Sequence, residues 1–333
     1  MKKRIRKIQG RIRVGALLLL GIIVLRGPFP LLMRLLPRFF DYIFFVYPGK
    51  ESDIGGYLPY FLANSAWCRT QIFFGGIITA PPGKKAGRGF LIGSPSTVRS
   101  MLRSEVECRI LEKKMKKIAD CFSVKGIAIA GRAPSIFMHH GIVLEDPFVQ
   151  GEKGMVFCTI ETLYFVAQKH QISLQTANIA VFGAGRVGKS IAEFLSAEGY
   201  NVTNIRAQSV FDPEGRKLSN DVNDILRVAD IVIVISAKGS DFHPHMKYLR
   251  DGAIIIGETH PPIQRPFEKG SIYRAGLSLE GLRFVPALET YSATSIPGCV
   301  VEAIVFARYG EIADQKTFNK MARAIGFCAC NVV

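Results

Sequence analysis

The sequence has no acidic residue before Asp41, although ten lysines and arginines fall within residues 1–49. That region therefore carries +9 of the formal net charge of +16. It also lacks a small-x-small cleavage motif after its apolar run Val14–Leu25, which argues against a removed secretory peptide. As a helix this run would be about 18 Å long, whereas a hydrocarbon core is ~30 Å thick. We expect residues 1–46 to lie at a membrane as a re-entrant or interfacial element, with a single spanning helix as the alternative, and 47–59 to be a linker.

Disulfide and metal patterns are also missing. The seven cysteines are odd in number and include no CxxC pair, which argues against a disulfide framework and favours a reducing compartment. The six histidines show no zinc-ligand spacing, so we expect no metal site. Internal repeats and low-complexity tracts are absent as well. At 333 residues the chain is long enough for two domains, each with its own hydrophobic core.

Hydrophobic periodicity predicts a mixed α/β fold. A helix is expected from a cap at Ser94 or Ser96 through Phe122, then a strand over 126–131 and a buried helix over 154–170. Further on, short apolar runs alternate with helices near 186–197 and 219–228, and residues 291–327 read as helical throughout. The apolar runs predict strands over 178–182, 201–205, 230–235 and 252–256. Such alternation is typical of a Rossmann-type, doubly wound parallel sheet.

Three glycines in GxGxxG spacing follow the predicted strand 178–182 and open the next helix. This context fits a dinucleotide-binding loop, because it allows a tight turn, close backbone approach to a pyrophosphate, and helix N–H groups directed at it. Arg206 stands about twenty residues on, where an acidic residue would accept from an NAD ribose. Because a guanidinium suits a 2′-phosphate, we expect NADPH. The expected cofactor-binding residues are Gly183, Ala184, Gly185, Arg186, Val187, Gly188, Arg206, Ser236, Ala237 and Gly257.

Cys299 follows Pro297-Gly298 at the head of an apolar helical pattern. A helix N-terminus lowers the pKa of a thiol, so this position suits a nucleophile, although free cysteines are also common in cores. The residue pattern alone leaves both interpretations open.

Several motifs occur in a recognisable order: GRAPSI (131–136), GEKGMVF (151–157), the glycine loop, IIIGETHPP (254–262), GCVVEAIVFARYGE (298–311) and KTFNKMARAIGF (316–327). In this order the chain resembles the long-chain acyl-[acyl-carrier-protein] reductases of cyanobacteria, which form fatty aldehydes. The resemblance covers about residues 60–327. It implies a substrate domain over 60–152, an NADP-binding Rossmann domain over 153–290, a helical segment over 291–327, and a tail over 328–333.

The resemblance also implies that Cys299 is the acylated cysteine, and reduction of a thioester through an acyl-enzyme agrees with that role. His260 and Lys153 are candidate catalytic side chains near the cleft. Residues 84–117 hold ten basic residues against three acidic ones, which suits an acyl carrier protein or acyl-CoA rather than nucleic acid. The expected location is cytoplasmic, at the membrane surface.

Two other functions fit parts of the sequence. The first is an NADP-dependent dehydrogenase of a polar acid, resembling shikimate dehydrogenases, although no Asp partner for Lys153 is evident. The second is a membrane-tethered NADP-binding regulatory protein without turnover.

Overall fold

The structure is a computed structural model that describes residues 39–48, 66–81, 86–183, 185–206, 209–211, 217–219, 222–264, 266–288 and 291–330. The predicted membrane run Val14–Leu25 and most of the predicted linker 47–59 lie outside these residues. Across the part of the chain that is described, no helix combines the length and the apolar character needed to cross a membrane.

The elements are numbered here in chain order. The first part of the chain forms β1 (Tyr42–Val46), α1 (Ala66–Arg69), β2 (Phe73–Thr79), β3 (Gly89–Gly93), α2 (Val98–Arg103), α3 (Glu105–Phe122), β4 (Gly126–Ile129), α4 (Ala133–His139) and β5 (Phe148–Val149). The middle forms α5 (Glu152–Lys169), β6 (Asn178–Phe182), α6 (Arg186–Ala197), β7 (Asn201–Arg206), β8 (Ser209–Phe211), β9 (Lys217–Ser219), α7 (Val222–Val228), β10 (Ile231–Val234), β11 (Ile254–Gly257), β12 (Ser271–Arg274) and β13 (Leu277–Ser278). The last part forms β14 (Arg283–Val285), α8 (Gly298–Tyr309), α9 (Gln315–Ile325) and β15 (Cys328–Ala329).

The chain divides into two compact units. The first unit contains the residues up to Gly151 together with 281–294 and 299–312, and the second contains 152–280, 295–298 and the residues from Ala313 onward. The border at Gly151 lies one residue before the predicted end of the substrate domain. The predicted helical segment 291–327, in contrast, is shared between both units.

The first unit is built on a sheet with the strand order β14-β2-β3-β1-β4-β5. The central strand β1 is parallel to β3 on one side and to β4 on the other. Its residues Tyr42–Phe45 are fully or almost fully buried, as a strand covered on both faces requires. The assignment of this stretch to the membrane segment 1–46 is therefore wrong for Tyr42–Val46. A short apolar run can be either a buried strand or part of a membrane segment, and its composition does not distinguish the two.

The helices of the first unit pack an apolar stripe against this sheet. α3 is amphipathic, and its buried residues include Cys108, Leu111 and Met115. The single helix expected through Phe122 is in fact two helices. Thr97 caps α2, whereas Ser104 ends α2 and caps α3 by accepting from the Glu107 N–H. Short polar side chains compete for backbone hydrogen bonds, and this competition divides an otherwise continuous helical pattern.

The second unit contains the predicted Rossmann-type sheet, in the order β12-β11-β10-β6-β7-β8-β9. β6 is parallel to β7 and to β10, and β10, β11 and β12 continue the parallel set. β8 and β9 extend the sheet beyond β7 as antiparallel strands. The α/β fold class is thus confirmed, and the helix 186–197 lies where it was predicted.

The C-terminal segment is not helical throughout. Residues 291–297 precede α8 without forming a helix, and the chain leaves the helical conformation again between α8 and α9. Asp314 caps α9 by accepting from the Thr317 N–H, and Gly326 ends it with a φ of 111°. The structure then adds β15, which pairs with β13. Capping residues, which apolar periodicity does not register, account for these interruptions.

Candidate functional site

Cys299 lies at the edge of the first sheet where the parallel strands end. It is in the first turn of α8 and is 6% exposed. Gly151, two residues after β5, lies directly against it, since a Cβ built on Gly151 would stand 2.9 Å from the Cβ of Cys299. Gly151 also has a φ of 77°, a conformation that favours glycine. The chain after β5 therefore needs a glycine to leave room for the first turn of α8.

Tyr47 follows β1 at the same edge and interacts electrostatically with Cys299. Its hydroxyl oxygen accepts a hydrogen bond from the Ala133 N–H at 3.0 Å. A Cβ on Gly131 would stand 3.2 Å from that oxygen, so the turn after β4 packs closely on the phenol. Burial raises the pKa of Tyr47 to about 12, opposed by hydrogen bonds from the backbone of Arg132 and Ala133 and by the Arg132 charge. The phenol therefore stays protonated, and its O–H remains a donor.

The GRAPSI motif explains part of this arrangement. Its first three residues, Gly131 to Ala133, form the turn that holds the Tyr47 hydroxyl. The structure thus places that motif and Cys299 in the same unit, near the ends of β1, β4 and β5. Tyr47 was missed because it was placed in the linker 47–59. The apolar run YIFFV just before it could have been recognised as a strand ending at this residue.

The other cysteines differ from Cys299 in their surroundings. Burial, with the charges of Glu107 and Glu105 acting in the same direction, raises the pKa of Cys108 to about 12. Its Sγ lies 3.4 Å from the carbonyl oxygen of Met101, which it contacts as a donor. Such a thiol is a core residue and not a nucleophile. Cys328, in contrast, is exposed on the second unit.

The glycine loop of the second unit has the geometry that a dinucleotide requires. Gly183 follows β6 with a φ of 114°, and a Cβ there would meet the Ile235 carbonyl oxygen at 2.6 Å. A Cβ on Gly188 would come within 2.1 Å of the Gly183 carbonyl oxygen, so the helix and the strand end approach too closely for a side chain. Gly185 differs, because a Cβ on it would have nothing within 4 Å.

Gly185 is also the N-cap of α6, and no side chain caps this helix. The N–H groups of its first turn therefore face the open space before the helix, where a pyrophosphate fits. The expected residues Arg186, Val187 and Gly188 form that first turn. Ala184 lies outside the described residues.

Arg186 has a second role that the motif did not predict. Its Nε lies 2.7 Å from Oε2 of Glu152, the first residue of α5. The other carboxylate oxygen of Glu152 accepts from the Ser190 hydroxyl at 2.5 Å. One carboxylate thus joins α5 to both the first and second turns of α6. This contact fixes the helix that follows the glycine loop.

The remaining expected cofactor residues lie on the same sheet edge of the second unit. Arg206 is the last residue of β7, and Gly257 is the last residue of β11. Ser236 and Ala237 follow β10, where the Ser236 hydroxyl donates to the Lys238 carbonyl oxygen at 2.7 Å. Because parallel strands end at one edge, these positions share the side of the sheet that carries the glycine loop.

The two other candidate catalytic residues belong to the second unit, whereas Cys299 belongs to the first. Lys153 lies in the first turn of α5, and its carbonyl oxygen accepts from the Gln315 side-chain amide at 2.9 Å. His260 is exposed in the segment after β11. Their catalytic roles stay predictions.

No protein-family model matches the chain. Over 109 residues it is 28% identical to "Bifunctional protein FolD" of Tropheryma whipplei, in strains Twist and TW08/27. This alignment covers 32% of the chain and 34% of FolD, so the chain spans about a third of the length of the curated relatives it matches.

The solved structures similar to this one include several dehydrogenases. A putative malic enzyme has a TM-score of 0.44 and 15% identity, covering 87% of this chain and 86% of its own. The NAD-dependent malic enzyme of Thermotoga maritima has a TM-score of 0.44 and 14% identity, with coverages of 92% and 87%. Glutamate dehydrogenase of Thermus thermophilus has a TM-score of 0.42 and 13% identity, covering 86% of this chain and 74% of its own. Similarity at this level carries no conclusion about activity.

Proposed function

We propose that this protein is an NADPH-dependent oxidoreductase that reduces a long-chain acyl thioester to a fatty aldehyde through an acyl group on Cys299. The observation that carries the proposal is the thiol in the first turn of α8, at a strand-end edge beside the Tyr47 hydroxyl. A helix N-terminus and a nearby hydroxyl donor both favour the thiolate form of a cysteine. The glycine loop of the second unit supports the nicotinamide cofactor, and Arg206 at the end of β7 favours the phosphorylated form.

The chemistry divides into two balanced steps. In the first, the Cys299 sulfur forms a bond to the thioester carbonyl carbon, the bond from that carbon to the carrier sulfur breaks, and the carrier leaves as a thiol with the proton of Cys299. The Tyr47 O–H and the N–H groups of the first turn of α8 are donors for the carbonyl oxygen while it carries negative charge. This first step needs no cofactor.

In the second step, the bond between the acyl carbon and Cys299 is replaced by a C–H bond and the aldehyde is released. Bound NADPH supplies the hydride for this reduction, and one proton from solvent returns Cys299 to the thiol. Gly185 and the first turn of α6 would hold the pyrophosphate, and Arg206 the 2′-phosphate.

The carrier of the acyl group is an acyl carrier protein or coenzyme A in this proposal. Part of the basic region lies on α2 and α3, where some charges are already paired within the helix, such as Arg109 with Glu105 at 2.7 Å and Lys116 with Glu112 at 2.9 Å. The net positive charge of residues 84–117 would attract an acidic carrier or the coenzyme phosphates by steering. The basic part of the chain before β1, most of which lies outside the described residues, is proposed to keep the protein at the cytoplasmic membrane surface, where apolar substrates accumulate.

The experiment that tests this function is the intact mass of the protein after incubation with a long-chain acyl-CoA and without NADPH. We expect wild type to gain one acyl group and to release it as aldehyde once NADPH is added. Cys299→Ala should gain none. Cys328→Ala is the matched control, because it removes an exposed thiol and should acylate like wild type.

Equal acylation of wild type and Cys299→Ala would remove Cys299 from the mechanism. Binding of NADPH without any adduct would instead favour the regulatory, non-catalytic alternative.

A further inference from the structure

Two polar side chains at the end of β11 each have a buried oxygen atom. Glu258 directly follows this strand, and its N–H donates to the Val234 carbonyl oxygen of β10 at 2.9 Å. Thr259 comes next and is 4% exposed. The Oε2 of Glu258 and the Oγ1 of Thr259 are both buried, and neither has a hydrogen-bond partner among the described residues. A buried polar group without a partner is destabilising, so two adjacent ones mark a place where a polar ligand could supply the hydrogen bonds.

The protonation state of Glu258 determines what it can bind. Burial raises the pKa of this carboxyl to about 8, although the positive charge of Arg274 acts in the opposite direction. The charge of Arg274 acts on it from β12, the strand that pairs with β11. On the β10 side the strand is apolar, and the titratable residues of the segment after it are Lys238, Asp241, His243 and His245. At neutral pH the carboxyl is therefore mostly protonated.

A protonated carboxyl presents one O–H donor beside one carbonyl acceptor. A primary amide presents the complementary pair, a carbonyl acceptor beside an N–H donor. The two groups can form a pair of parallel hydrogen bonds, and the adjacent Thr259 hydroxyl can accept the second amide hydrogen. An ionised carboxylate would only accept and would lose the bond to the amide oxygen.

The position on the sheet identifies which amide this is. In a dinucleotide-binding sheet, the ligand crosses the strand ends at the point where the strand order reverses, which here is between β6 and β10. The adenosine ribose lies toward β7, on one side of the glycine loop. The other half of the cofactor then extends over the ends of β10 and β11. This half ends in the nicotinamide ring, which carries a primary carboxamide.

We propose that Glu258 and Thr259 bind the nicotinamide carboxamide of the cofactor. This inference rests on the proposed function, because it requires that a nicotinamide dinucleotide binds the second unit. It adds a residue that fixes the ring through its amide, and it predicts that cofactor affinity depends on pH through one identified carboxyl.

The test is the dissociation constant of NADPH between pH 7 and 9.5, measured by the fluorescence of the bound reduced cofactor. For wild type we expect the constant to rise above pH 8, approaching tenfold per pH unit as Glu258 ionises. Glu258→Gln keeps a donor and an acceptor, so it should bind like wild type at pH 7 with no rise above pH 8. Glu258→Ala should bind about tenfold more weakly at pH 7 and equally at every pH.

A second ligand separates this site from the rest of the cofactor. Adenosine 2′,5′-bisphosphate has the phosphates of NADPH but no nicotinamide, and its affinity, measured by calorimetry, should be the same for all three proteins at every pH. Equal pH dependence for both ligands, or the same rise in Glu258→Gln, would overturn the carboxamide site while leaving cofactor binding intact. Failure of both ligands to bind would instead overturn the proposed function.

Discussion

The strand-end edges of the two sheets share a topology and differ in chemistry. In the first sheet β1 lies between β3 and β4, and in the second β6 lies between β7 and β10. Each sheet therefore has a point at which the order of its strands reverses. The first edge presents side chains, the Cys299 thiol and the Tyr47 hydroxyl. The second presents the backbone of a glycine loop. Ligand sites form at such points for topological reasons, but the residues there decide which chemistry they perform.

Glycine illustrates this difference. A Cβ on Gly151 would be 2.9 Å from the Cβ of Cys299, so the first edge uses glycine to make room for another residue of the protein. A Cβ on Gly185 would contact nothing within 4 Å, so the second edge leaves room for something that is not protein. Substitution of Gly185 should therefore weaken cofactor binding without destabilising the fold.

Gly185→Ala should have the largest effect, and it should affect only NADPH binding at the edge of the second sheet. Its φ of −70° suits alanine, and no protein atom is close, so we expect an unchanged melting temperature. The added methyl group would occupy the space before α6 and weaken NADPH binding roughly 1,000-fold, or about 4 kcal/mol. Acylation of Cys299 in the absence of cofactor should stay at the wild-type rate.

The control for this variant is Glu193→Ala on the same helix. Glu193 makes only an exposed ion pair with Lys189 at 3.5 Å, so NADPH affinity should not change. Wild-type NADPH affinity in Gly185→Ala would mean that the open space before α6 does not receive the pyrophosphate.

Tyr47→Phe should have the next largest effect, on the first edge alone. Removal of the hydroxyl takes away a donor for the thioester oxygen, so acylation of Cys299 should slow roughly 100-fold, as measured by mass spectrometry over time. It also leaves the buried Ala133 N–H without its acceptor, which costs about 1–3 kcal/mol of folding free energy. NADPH affinity should not change.

Tyr42→Phe provides the matched control, because Tyr42 is the first residue of β1, the strand that Tyr47 follows, and it is fully buried. Its hydroxyl has no hydrogen-bond partner among the described residues. Loss of that hydroxyl should leave the acylation rate unchanged and should not lower stability. If both variants slow acylation equally, the effect comes from packing of β1 and Tyr47 has no direct role.

Arg206→Ala should have the smallest effect. It tests whether the edge of the second sheet distinguishes NADPH from NADH. We expect the dissociation constant of NADPH to rise about tenfold, or 1.4 kcal/mol, while that of NADH changes little, since only NADPH carries the 2′-phosphate. Arg227→Ala, which removes an exposed arginine paired with Asp224 at 2.8 Å, should affect neither constant. A parallel loss of both cofactors in Arg206→Ala would rule out a specific role for Arg206 at the 2′-phosphate.

Local pattern was sufficient for the four adjacent strands β11, β10, β6 and β7 of the second sheet, but not for its outer strands β8, β9 and β12 or for most of the first sheet. The glycine spacing, the strand before it and α6 were all predictable, because a phosphate loop needs its residues within one continuous stretch. The edge near Cys299 gathers Tyr47, Gly131 and Gly151, which come from the ends of three different strands. Tyr47 was placed in a linker for this reason.

The sequence by itself determined the α/β class, the glycine loop with α6, and the choice of Cys299 as the thiol of interest, because these depend on neighbours along the chain. Only the tertiary structure decided that Tyr42–Val46 is the central strand of a sheet and that Tyr47 stands beside Cys299. It also decided that burial raises the pKa of Glu258. Burial and strand order are set by residues distant in the chain. The pKa of a carboxyl and the surroundings of a thiol follow from them.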